Sequence, residues 1–273
     1  MSTAIYELID VLPARASELR RLLLLADNVL EQDEDSYNTL CRACSVLLAS
    51  HLEGFLKDLT QSLLSDFNFY SGSFNKMPEA MRVTFCRKIA TYDGVEEQDI
   101  KVRVSQLLAY FDKNSVAIDM RAFNYKENNN KNPNGNVVDV ALQRLGVPDA
   151  LQSISVTWSE CVFNNDSAAV HEIKTDLRKF REALYNFPYN KIPNNYEFNH
   201  AVRKADKKIK TIWHTFISDL MLRRHNIVHG DTMANDSTTA QLHVDVDKLE
   251  VLMHSLVYSA VSYLCKEQTQ QEA

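Results

Sequence analysis

Apolar residues recur at steps of three and four along most of the chain, the signature of helices with one buried face. Pro13–Gln32 carries Leu19, Leu22, Leu23, Val29 and Leu30 on that period. Asp33–Ser36 then supplies N-cap residue types before a longer run with the stripe Tyr37, Leu40, Cys44, Leu48, His51, Phe55, Leu59 and Leu63. The middle of the chain is less regular and predicts shorter helices near Pro78–Asp93, Glu96–Asp112, Val137–Leu145 and Ser167–Tyr185. Asn124–Asn136, rich in asparagine with Pro133 and Gly135, predicts an exposed loop, and Asn186–Asn195, with Pro188 and Pro193, predicts a break.

A further long helix is predicted from Phe198 to Val228, with the stripe Phe198, Val202, Ala205, Ile209, Ile212, Phe216 and Leu220. Gly230 is placed to end it as a C′ residue. After the polar stretch Asp231–Thr239, a last helix over Val246–Lys266 presents Leu249, Leu252, Leu256, Ala260 and Leu264. The expected fold is all-α: an antiparallel bundle forming one domain over 1–273. Its core helices come from 1–70 and 198–273, and 71–197 forms a mostly helical insert.

Composition narrows the function without naming it. Six glycines and six prolines in 273 residues disfavour a many-turned β fold. A net charge of −6 gives no general attraction to nucleic acid, so any such binding needs a local basic patch. Five cysteines at irregular spacing, no apolar leader and no stretch of eighteen apolar residues predict a cytoplasmic protein without a membrane partner. Cys41-Arg42-Ala43-Cys44 has redox or zinc spacing, but Cys44 sits on the apolar stripe with Cys41 beside it, so buried small hydrophobes are expected. His51 on that stripe reads as a core histidine, and His214 and His254 have no partner in the pattern. GxGxxG, P-loop, HExxH and GxSxG patterns are lacking, so no cofactor and no metal are expected.

The chemistry concentrates in Arg223-Arg224-His225-Asn226-Ile227-Val228-His229-Gly230. On an ideal helix Arg224 lies about 40° from Leu220 and Arg223 about 60° to the other side, so both continue the apolar stripe. An arginine there must be paired inside the protein or face an interface or an anion. His225 and His229 share a face, whereas Arg224 and His229 are roughly 140° apart. Either the helix deforms near Gly230 or the two groups meet partners supplied by a second copy. A bland reading stands beside this one: cations in the last turn of a helix ending at glycine are favoured by the macrodipole.

Arg224-His225-Asn226-Ile227-Val228-His229 resembles the Arg-polar-x3-His signature of the HEPN superfamily (higher eukaryotes and prokaryotes nucleotide-binding domains). Gly230 and the apolar pair before His229 resemble the subset found in prokaryotic defence and toxin–antitoxin loci. His51-Leu52-Glu53-Gly54-Phe55-Leu56-Lys57-Asp58-Leu59 is similar to the first long helix of the large-insert families, where a glutamate recurs. Asn136-Val137-Val138 through Leu145-Gly146-Val147 resembles a short element of their insert.

The resemblance implies a metal-independent endoribonuclease working as a homodimer on RNA, with an antitoxin protein as a further partner. Arg224 and His229 become the catalytic pair, with His229 moving a proton and Arg224 holding the phosphoryl oxygens. Arg223, His225 and Asn226 are assigned supporting roles. The resemblance has Glu53 orient Arg224 or His229, while its position opposite Phe55 reads as a solvated carboxylate. The run containing Arg203, Lys204, Lys207 and Lys208 lies upstream on the same predicted helix, either as an RNA-backbone contact or as a solvated face. Two other readings carry different expectations: a non-catalytic module binding a nucleotide or partner protein, and a purely structural bundle.

Overall fold

The structure is a computed structural model that describes residues 2–114, 116–123, 134–155, 157–164, 166–190, 198, 210–230 and 237–271, with side chains to 264. Among these residues every regular element is a helix: α1 (Ala4–Val29), α2 (Glu34–Tyr70), α3 (Glu79–Ala90), α4 (Glu97–Phe111), α5 (Gly135–Arg144), α6 (Ala150–Ser155), α7 (Ser167–Lys179), α8 (Ile212–Val228) and α9 (Thr239–Gln271), with short 3₁₀ turns between. None of the described helices is long and apolar enough to cross a membrane.

α1 and α2 form an antiparallel hairpin, tied by Arg15–Asp58 near its middle and by Asp66 at its open end. Asp66 is 3% exposed and accepts the N–H groups of Ala4 and Ile5 at 2.7 and 3.1 Å, so a carboxylate from α2 caps the start of α1. That long-range cap, with Thr3 accepting from Tyr6 N, starts α1 at Ala4 rather than Pro13 and leaves Pro13 inside the helix. α2 begins where its sequence predicts: Asp33 accepts from Ser36 N at 3.0 Å. Tyr37, Cys44, Leu48, Phe55, Leu59 and Leu63 of the predicted stripe are all buried.

α9 runs antiparallel to α1, with Arg20 paired to Asp247 and Glu250, and parallel to α2, with Tyr37 bonded to the first N–H of α9. The middle of the chain also lines this core: Leu142, Leu151, Ile154 and Leu177 belong to the same cluster as Leu48 and Leu252. Buried serines let α6 and the 3₁₀ turn after it approach α9 closely, through Ser153–Ser259 at 2.7 Å and Ser255–Ser159 at 3.0 Å. The α3–α4 hairpin stands outermost, with only Ile100 of α4 buried.

Two expectations about stability arise here. Gly135 opens α5 directly against α8, where a Cβ would sit 2.8 Å from His214 Cα. Because that atom is backbone, Gly135→Ala is expected to destabilise by about 1–3 kcal/mol, read as a lowered urea midpoint. His254 is 2% exposed and its Nδ1 lies 2.8 Å from the Glu250 carbonyl; burial holds its pKa below the ordinary 6.5. The unfolded chain therefore binds a proton at this site that the folded chain refuses, so stability falls as pH drops below about 6.5, by at most ~1.4 kcal/mol per unit. Thermal melts from pH 8 to 5 should show this fall, and His254→Gln should lessen it, leaving the share of His51, whose pKa burial also lowers.

Candidate functional site at the end of α8

α8 starts at a capping box. Thr211 accepts from His214 N, and His214 Nδ1 in turn accepts the Thr211 N–H at 3.1 Å. The other ring nitrogen of His214 lies 2.9 Å from Asp139 Oδ2 on α5, which fixes the imidazole. His214 thus has partners that no local pattern showed, since Asp139 is 75 positions away.

This start corrects the predicted Phe198–Val228 helix. Thr211 has extended backbone (φ −95°, ψ 169°), so helical geometry does not run unbroken through it into α8. Arg203, Lys204, Lys207 and Lys208 themselves lie outside the described residues.

From its start, α8 buries Trp213, Phe216, Ile217, Leu220 and Met221. One turn later the same face carries the two arginines, and both find carboxylates inside the protein. Arg223 donates to Asp245 Oδ2 at 2.5 Å and to Ser237 Oγ at 3.2 Å. Arg224 Nη1 donates to Glu53 Oε1 at 2.5 Å. The Glu53 side chain is 13% exposed, which overturns its reading as a solvated carboxylate. α2 is covered by α1 on one side and by α8 on another, so a position opposite Phe55 is still enclosed.

The helix ends as the glycine predicts. The His229 N–H bonds to the His225 carbonyl at 3.0 Å, and Gly230 takes φ 73°, the left-handed conformation a glycine adopts freely. His225 and His229 are exposed, with ring centroids 4.3 Å apart and planes tilted by 48°. Asn226 is half-buried, and Leu222 and Val228 are exposed.

The regular course of α8 through Val228 decides the angular question. Around the axis His225, His229 and Asn226 fall within about 60° of Leu222, whereas Arg224 is about 160° away. The structure therefore brings Glu53 to Arg224 and His225 to His229, but sets the two pairs on different sides of one helix. Arg224 and His229 do not converge within a chain.

Two other features are set apart from this site. A cavity of about 170 Å³ lined by Asn134, Gly135, Asn136, Lys210, His214, Thr215 and Ser218 lies at the opposite end of α8. His214 is roughly 22 Å along the axis from His229 at 1.5 Å per residue, too far to share a substrate phosphate. Cys41 and Cys44 are fully buried free thiols, and burial, with Cys41 beside it, pushes Cys44 up to about 12, so it carries no thiolate chemistry near neutrality. Among the described residues no group of three or more His, Cys, Asp or Glu side chains could hold a metal ion. Comparison with protein-family models, with curated proteins and with solved structures found no match to this chain.

Proposed function

We propose that the chain is a metal-independent endoribonuclease of HEPN type, active as a homodimer in which Arg224 of one copy and His229 of the other meet at one phosphate. The supporting observation is the division of α8 just described: a guanidinium fixed by Glu53 on one side of the helix, and an exposed imidazole pair on another. An arginine has five N–H donors, so the Glu53 bond orients Arg224 without exhausting it. A strand cleaved through its own 2′-OH needs a group to take the hydroxyl proton, a group to protonate the 5′ oxygen, and positive charge on the phosphorane. His229 and Arg224 are of the types that supply these. Leu222 and Val228, each 58% exposed beside the histidines, give a second copy apolar surface to cover. A toxin or antiviral effector is the setting that this activity fits.

The alternative is a non-catalytic module in which the same residues hold a nucleotide or a partner protein, since a guanidinium held by a carboxylate keeps N–H groups to donate but moves no proton. Incubating the purified chain with mixed single-stranded and structured RNA in EDTA separates the two. The nuclease leaves fragments with cyclic-phosphate ends. Intact RNA beside a folded, dimeric protein selects the binding module instead.

A further inference from the structure

We propose that His225 and His229 form a two-imidazole chelate for a borderline divalent transition-metal ion such as Zn²⁺, and that the bound ion blocks the site rather than serving it. Two histidines four apart on one helix face are the spacing at which a single ion reaches both rings. Here the spacing is held by the backbone itself, through the His229 N–H to His225 carbonyl bond at 3.0 Å. Both side chains are exposed, and their ring centroids already lie 4.3 Å apart with planes tilted by 48°, so the two imidazoles share one patch of surface that an ion can reach. Imidazole suits Zn²⁺, Cu²⁺ and Ni²⁺, whereas Mg²⁺ and Ca²⁺ take oxygen ligands. The pair also occupies the last turn of α8, where the negative end of the helix dipole favours a cation.

The chain supplies two ligands, so water completes the tetrahedron and binding is reversible, unlike a closed four-ligand structural site. Coordination uses the lone pair through which an imidazole accepts a proton. An occupied His229 therefore cannot act as base. That consequence rests on the nuclease reading; the binding itself does not.

The test is calorimetric titration of Zn²⁺ into the full chain in a non-chelating buffer, with circular dichroism confirming the fold of each variant. The parent is expected to bind one ion per chain. His225→Gln and His229→Gln should each weaken binding at least tenfold, because one ring alone loses the chelate. His243→Gln, which removes a half-exposed histidine on α9, should bind as the parent does. Equal affinity in the His225→Gln/His229→Gln double variant, or no binding by the parent, overturns the site. In parallel, RNA cleavage by the parent should fall with Zn²⁺ occupancy and return with EDTA. If the parent cleaves no RNA, the nuclease reading fails while the calorimetric result still decides the metal site.

Discussion

Glu250→Ala is expected to cost about 3 kcal/mol of folding stability, the low end of what breaking a buried ion-pair network costs. Glu250 is 1% exposed and accepts Arg20 Nη2 at 2.6 Å and Arg178 Nη2 at 2.8 Å. Burial alone would raise its pKa; the bonds and charges of Arg20, Arg178 and Lys174 more than reverse this and hold the carboxyl below its ordinary value. The same group of charges includes Asp247, which pairs with Arg20 and with Lys174, so one cluster joins α1, α7 and α9. Removing Glu250 leaves two guanidinium groups facing a hole. Arg20 and Arg178 are 31% and 51% exposed, and water reaching them is what keeps the cost near the lower bound. For a chain of this size the change corresponds to a fall in melting temperature on the order of 10 °C. Denaturant unfolding measures it directly, and a loss under 1 kcal/mol would show the cluster to be solvent-screened rather than structural.

The boundaries legible in the sequence are those set by groups local to them. α2 has Asp33 as cap and an unbroken stripe, and α8 has Gly230 as its end. The misread boundaries depend on groups far along the chain. α1 starts early because Asp66 accepts from its first N–H groups, and α8 starts late because His214, held by Asp139, replaces the usual glutamate of a capping box. Apolar spacing keeps its phase on either side of Thr211, so periodicity alone does not reveal the cap.

The candidate site was legible as a conflict. Arg223 and Arg224 stand where the stripe demands apolar residues, and that alone requires partners. Their identities were hidden, because Glu53 is 171 positions away and Asp245 is 22. Helix geometry alone sets Arg224 apart from His229, and the two stay apart in the structure because α8 is helical through Val228.

His229→Ala is expected to lower RNA cleavage by about 10²–10⁴-fold, the span for loss of a positioned acid or base. The fold should hold within roughly 0.5 kcal/mol, because the ring is exposed. Arg224→Ala should lower cleavage by about 10²–10³-fold through loss of charge stabilisation. Unlike His229→Ala, it should also cost about 1–3 kcal/mol of stability, because it removes the guanidinium from a Glu53 side chain that is only 13% exposed. Stability alone therefore cannot assign a role to Arg224, and mixing the two variants can. In a dimer of Arg224→Ala with His229→Ala, one of the two composite sites keeps both its arginine and its histidine, and the other keeps neither. Random pairing makes half of the dimers mixed, so about a quarter of parental activity should return after the chains are unfolded together and refolded. A centre built within one chain would recover nothing on mixing. That outcome would refute the two-copy site even if both single variants were inactive, and recovery would place Arg224 and His229 on opposite sides of one phosphate.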